Sequence, residues 1–305
     1  MIWFIVRRLL GLILTLWIVF TLSFLLMHAV PGGPYSSERN LPPELEENFK
    51  EKYQLNLPVY QQYLIQLRRA ATGDLGPSQR LLDYSVNEVI AQGLPVSATL
   101  GILALTFAIT LGPSAGIVSG VYRGSPADVA LMSLATIGIA LPSFVIGGLS
   151  ILLFVFTIQI FPAAGWGTLR QLVLPAVCLG AVYAAEIARI SRTGMLDALS
   201  QDFVRTARAK GLSQVAVALR HALPTALLPV VSFLGPAVAG ILTGSVVVER
   251  IFAIPGLGWH FVQAATQRDY TVSMGLVLLY TLLLYTMNFI VDLSYGVLDP
   301  RVELK

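Results

Sequence analysis

The chain has 305 residues, of which 55% are hydrophobic and only 12% charged, about half the charged fraction of a soluble domain. That balance excludes a water-soluble globular protein, and a net charge of +3 is too small to suggest nucleic acid as the partner. The single cysteine, Cys178, leaves no disulfide framework or thiolate metal site, and His28, His221 and His260 are too far apart in sequence for a helical ligand pair.

Leu9–Val30 is the first apolar run, preceded by Arg7-Arg8 and long enough to cross about 30 Å of hydrocarbon. It exceeds a typical signal core, and His28-Ala29-Val30 is a poor cleavage site, so it predicts an uncleaved helix with the amino terminus inside. Pro31–Pro95 is the largest polar segment. It carries Pro42-Pro43, a Glu-rich turn at Glu44–Glu47 and a helical run near Tyr60–Ala71, with Tyr60, Leu64 and Leu67 on one face. These features predict a small folded lobe on the outer side.

The second span, Ser97–Tyr122, contains Gly112, Gly116 and Gly120, a ladder at a spacing of four that lets helix backbones approach closely. Gly112–Gly116 also spells the G-x-S-x-G pattern around Ser114. A catalytic serine needs a strand–turn–helix elbow and a histidine partner, so the helical setting favours packing over an intramembrane hydrolase. Arg123–Asp128 reads as a short turn. The third span is Val129–Ile158, with Pro142 near its middle, and Phe161–Trp166 has the aromatic and Pro/Gly content of an interfacial segment. The fourth span, Gln171–Ile190, ends with Glu186 and Arg189 spaced to pair on one face. The fifth, Leu227–Val248, holds Gly235-Pro236 and leads into a polar outer connection, Glu249–Thr271. The sixth, Val272–Gly296, places Asn288 and Asp292 four apart with Tyr285 and Tyr295 near the same face. Asp292 lies at the helix end, where pairing with Arg189 or the adjacent loop is favoured over a transport role. With six spans and the amino terminus inside, eleven Lys and Arg residues fall on inner segments, while the two shorter outer connections carry only Arg170, Arg250 and Arg268. That asymmetry sets both termini in the cytoplasm.

Between the fourth and fifth spans lies Ser200–Pro224, the one long charged stretch of the second half. Ser200 is placed to cap a short helix, with Asp202 in its first turn. Phe203 and Ala207 share a face, and Gly211 can close the helix in a left-handed cap. Ser213 can open a second helix with Val215, Leu219 and Ala222 on one side and Pro224 just beyond. Two helices around a glycine corner exceed what a connecting loop needs.

The spacing Arg205-Thr206-Ala207, Gly211, His221 and Leu223-Pro224 resembles the EAA loop of bacterial ABC importer permeases. Arg205 stands where the general family has Glu, a departure typical of the peptide and nickel branch, which often carries R-T-A-R-A-K-G-L as at Arg205–Leu212. Pro255-Gly256-Leu257-Gly258, Arg268-Asp269-Tyr270, Leu298-Asp299-Pro300-Arg301, and Arg7-Arg8 with Pro31-Gly32 extend the likeness along the chain, nearest to the B-type subunits of oligopeptide permeases.

The resemblance implies an all-α, six-helix permease bundle of the type I importer class. Residues 1–95 would form the first helix and outer lobe, and residues 96–305 the core with a cytoplasmic coupling loop at 190–224. It further implies a second homologous permease, two cytoplasmic ATPase subunits and an extracytoplasmic peptide-binding protein as partners, with membrane lipid around the bundle. The site residues so implied are Phe203, Arg205, Thr206, Ala207, Arg208, Lys210, Gly211, Leu212, His221 and Pro224. Of these, Arg205, Arg208 and Lys210 would meet acidic or carbonyl groups on the ATPase, Ala207 and Gly211 would allow close approach, and His221–Pro224 would end the loop at the membrane. ATP and Mg would belong to the ATPases. Consistent with that, no G-x-x-x-x-G-K-[ST] loop occurs, and the buried acid chains of a proton-driven carrier are absent. Oligopeptides are the first choice of solute; dipeptides, nickel complexes and glutathione fit the same architecture.

Overall fold

The computed structural model describes residues 2–29, 47, 53–54, 56–81 and 83–298. Pro31-Gly32, Pro42-Pro43, most of the Glu-rich turn, Asp299-Pro300-Arg301 and the side chain of Tyr295 lie outside them. The described chain is helical, with no strand among the described residues beyond one isolated bridge, Pro77 to Ser85. Four helices are long and apolar enough to cross a membrane, and two bent helix pairs raise the number to six if each pair makes one span.

One compact unit draws on Met1–Val96 together with Pro255–Thr286. Its first helix, α1 (Ile2–Ala29), buries few side chains, and Leu10, Ile13, Leu14, Leu22 and Leu26 are exposed. Such a surface would drive association in water and suits hydrocarbon. Only Phe4, Phe20 and Phe24 are buried on α1, the latter two against Tyr63 and Leu67 of α2 (Val59–Ala71) and Met274. The inward face of α2 is therefore Gln62, Tyr63, Leu67 and Ala70. Tyr60 and Leu64, which share a stripe with Leu67 by spacing, are 64% and 58% exposed, so the stripe is rotated from the expected one. Two further helices belong here, α11 (Leu257–Gln267) and the start of α12 (Tyr270–Leu298). Asp269, 2% exposed, opens α12 by accepting from the Val272 amide at 3.1 Å, and it also accepts from the Arg80 amide and the Ser78 hydroxyl. The Glu249–Thr271 connection is thus largely helical, where its polarity suggested a loop.

The other compact unit comprises Ser97–Ile254 and the chain from Met287. The helix α3 (Val86–Val121) enters it, and at about 1.5 Å per residue it is roughly 54 Å long. The turn Arg123–Asp128 is already part helix: Ser125 caps α4 (Pro126–Ala140), its hydroxyl accepting from the Asp128 amide. The third span is not one rod. Leu141 precedes a proline, which disfavours helical backbone, and it sits at φ −90°, ψ 125°. The chain breaks there and resumes as α5 (Ser143–Ile151) and a π-helical turn, Leu152–Thr157, at 108° to α4. Helix α6 (Leu169–Leu199) runs beyond the expected fourth span and tolerates Pro175 inside it. Helix α10 (Leu228–Ile251) carries Pro236.

The glycine ladder is the seam between α3 and α6. A Cβ at Gly112 would stand 2.8 Å from the Ile187 side chain, and at Gly120 2.8 Å from Met195 Cβ. At Gly116 it would reach Ser191 Cβ at 2.5 Å. No side chain fits in that seam.

Candidate coupling site

Beyond α6 the chain turns twice. Ser200 does not cap the next helix. It ends α6, with its hydroxyl donating to the Asp197 carbonyl at 2.7 Å, and extended Gln201 takes the N-cap position of α7 (Asp202–Ala209) with no side-chain cap. Asp202 in the first turn is favourably placed against the helix dipole and pairs with Arg205 at 3.2 Å.

The exit from α7 follows the expected design. Gly211 has φ +79°, its amide donates to the Arg208 carbonyl at 2.9 Å, and the Leu212 amide donates to the Ala207 carbonyl at 3.4 Å. These two bonds make a Schellman cap, which needs a left-handed residue where glycine has no Cβ penalty. Nothing lies within 4 Å of a Cβ at Gly211, so backbone conformation alone selects glycine. Ser213 then caps α8 (Gln214–Val217), its hydroxyl accepting from the Ala216 amide at 3.3 Å.

From α8 the helix widens into a π turn, Ala218–Ala222, and continues as α9 (Leu223–Ala226). Pro224 is therefore inside a helical segment, not beyond it. A proline lacks an N–H and crowds the carbonyl four residues back; the wider turn before it accommodates both demands.

The stretch has one buried side. Val204, Ala207, Val217 and Ala222 are each at most 4% exposed and pack with Met195, Ala198 and Ala226, with Ile117, Val121, Leu199 and Leu223 against them. Backbone contact is close: a Cβ at Gly194 of α6 would lie 2.5 Å from the Ala226 carbonyl oxygen. Gln214 donates to the Val121 carbonyl at 3.5 Å. This underside differs from the expected faces. Ala207 is buried with Val204, while Phe203 is 43% exposed; Ala222 is buried with Val217 and Ala218, while Val215 and Leu219 are 54% and 53% exposed. The π turn shifts the register, so residues that align in an ideal helix diverge here.

On the opposite side, Phe203, Arg205, Thr206, Arg208, Lys210, Gly211, Leu212, Val215, Leu219, Arg220 and Pro224 are exposed, and His221 is half-buried. Arg208, Lys210 and Arg220 have no ion-pair partner among the described residues.

Two electrostatic features escaped sequence reading. Asp128, 4% exposed, forms a two-pronged ion pair with Arg192, Nε to Oδ1 at 2.8 Å and Nη2 to Oδ2 at 2.9 Å. Glu249, wholly buried, accepts from the Ser97 hydroxyl at 2.7 Å. Sequence separations of 64 and 152 leave no local signal for either. The Glu186–Arg189 pair is present as expected, at 2.6 Å, which leaves Arg189 engaged on its own helix. Ser114 is exposed on the face of α3 away from the glycine ladder, its hydroxyl donating to the Thr110 carbonyl at 2.6 Å. It lies in mid-helix with no elbow, which removes the hydrolase alternative. Among the described residues no group of three metal-ligating side chains occurs.

A transmembrane bundle bearing one built, basic loop is the plan of an importer permease. The chain belongs to the family described as "Binding-protein-dependent transport system inner membrane component", whose model matches residues 112–304, while the corresponding N-terminal family matches residues 1–78. It is 45% identical to the oligopeptide transport system permease protein OppB of Escherichia coli (strain K12), over 98% of this chain and 99% of that protein. It is 42% identical to the dipeptide transport system permease protein DppB of Bacillus subtilis (strain 168), over 99% and 98% of the two chains. An inward-facing MetNI methionine ABC transporter structure shares the fold, with a TM-score of 0.59 at 18% identity, covering 69% of this chain and 96% of that one. The protein is a multi-pass inner-membrane permease subunit of an ABC transporter, not an enzyme.

Proposed function

We propose that this subunit forms half of a translocation path for oligopeptides, and that the exposed side of Phe203–Pro224 docks in a groove of a cytoplasmic ATPase. The observation that carries the docking role is the two-sidedness of the stretch. Its underside packs on α6 through an apolar cluster, whereas its outer side joins four exposed large apolar side chains to basic residues without an ion-pair partner among the described residues. Apolar anchors within a charged rim are the anatomy of a protein interface. The cations make the groove acidic or rich in carbonyls. On this reading a second homologous permease completes the path, two ATPases bind ATP and Mg, and an extracytoplasmic binding protein delivers peptide. Residues 1–95 supply the first helix and an outer lobe, and both termini lie inside. The two peptide-transporting relatives support the solute class, the oligopeptide relative being the more similar.

The test is reversal of charge. With both Arg205→Glu and Arg208→Glu, the subunit should reach the membrane at normal levels but lose ATPase co-purification and peptide uptake. Retention of both would refute docking. Orientation is checked by single cysteines at Gln214 and Gln267, both exposed, in a Cys178→Ala background: an impermeant reagent should label only Gln267→Cys in sealed cells.

A further inference from the structure

We infer that the Asp128–Arg192 pair is the positioning element that carries movement of the Ser200–Pro224 stretch into the bent α4–α5 span. The inference rests on the docking role proposed above for that stretch.

The pair sits where α3, the turn after it, α4 and α6 meet. Asp128 holds Arg192 of α6 through two bonds, accepts from the Ser119 hydroxyl of α3, and accepts from the Gly124 amide of the turn at 2.8 Å. Both carboxylate oxygens are thereby engaged, and the group is nearly inaccessible. A two-pronged, charge-assisted arrangement fixes direction as well as distance. An exposed pair such as Arg205–Asp202 imposes no such constraint.

Each side of the pair leads somewhere. Toward the loop, α6 is continuous to Leu199, and Met195 and Ala198 are part of the cluster that buries Val204 and Ala207. Arg192 is thus about 4.5 Å along one helix from Met195 and about 9 Å from Ala198, the floor of that stretch. Away from it, Asp128 lies in the first turn of α4, which runs about 22 Å to the Leu141-Pro142 break. Along the way α4 rests on α6 through Ala135, which packs with Ala185 and Ala188. Beside it lies an open cavity of about 820 Å³, walled by Met132, Thr136 and Ile139 of α4 and by Arg189 and Arg192 of α6. The neighbouring seam is also not fully satisfied, since the buried Ser191 hydroxyl has no hydrogen-bond partner among the described residues. On this inference a displacement of the loop passes along α6 and through the pair to α4, whose far end is the Leu141-Pro142 break.

The experiment uses the complete transporter in proteoliposomes, recording peptide uptake and ATP hydrolysis together. Asp128→Asn keeps the shape of the side chain and removes its charge. It should leave subunit level and ATPase co-purification normal, hydrolysis within about twofold, and uptake per ATP lowered about tenfold, the scale of coupling between sites. Arg192→Lys, which keeps the charge but loses the fork, should give a smaller drop in the same quotient. An unchanged quotient in both variants overturns the inference, as does an uptake loss that merely tracks the loss of assembled complex. The Arg205→Glu, Arg208→Glu protein separates the two ideas: if it still holds the ATPase, docking fails on that measurement alone, whatever the quotient for Asp128→Asn.

Discussion

Gly116 and Gly211 are the same residue chosen for opposite reasons. In the α3–α6 seam, a Cβ on Gly116 would fall 2.5 Å from Ser191 Cβ and 2.9 Å from the Arg192 amide nitrogen, so glycine is there for space. At the corner after α7 the surroundings of Gly211 are empty and φ is +79°, so glycine is there for its backbone. The first position builds the bundle; the second shapes a surface the bundle presents. A substitution at one should damage folding, and at the other only what the surface does.

Gly116→Val is the harshest way to test that contrast. Separating the two helices should cost about 3 kcal/mol or more and remove most of the subunit from the membrane, as read by immunoblot and by thermal unfolding in detergent. A variant that accumulates normally would mean the seam is looser than its distances.

Gly211→Val comes next. Forcing a β-branched residue into the left-handed region costs about 1–2 kcal/mol, and it does so in a loop outside the spans. Membrane levels should hold while ATPase association weakens and uptake is lost. Gly211→Ala should be milder, because its Cβ has open space and only the backbone term remains. If Gly211→Val keeps full binding and uptake, the corner is not part of the docking surface.

Ser213→Ala removes the cap of α8, worth about 1 kcal/mol, and should reduce uptake partially at unchanged membrane level. Asp202→Asn breaks a fully solvated pair with Arg205, so its effect on stability should stay within about 0.5 kcal/mol. A large loss of uptake there would show that Asp202 itself meets the partner.

Local chemistry made several features legible from sequence alone. The Gly211 corner and the Ser213 cap depend on a few neighbouring residues. The apolar runs and the glycine ladder are periodic, and periodicity survives without knowing the neighbour. Pro142 was another matter: the apolar run reads as one span through it, and the packing that bends the chain by 108° is not written beside it.

What the tertiary structure alone decided is which partner each face meets. Val204 with Ala207 lies down and Phe203 lies out because the floor is built from Met195 and Ala198 of α6 and the end of α3. Spacing within α7 allowed either face. The register of Val215, Leu219 and Ala222 failed for a related reason: a π turn alters the angular step, and it exists to seat Pro224 in a continuing helix. Asp128 looked like a turn residue and Glu249 like the start of a polar connection. Each is buried because an opposing group, Arg192 in one case and Ser97 in the other, arrives from a distant helix to satisfy it. A buried charge is tolerable only when its partner is present, and composition supplies the charge without saying where the chain will bring the partner.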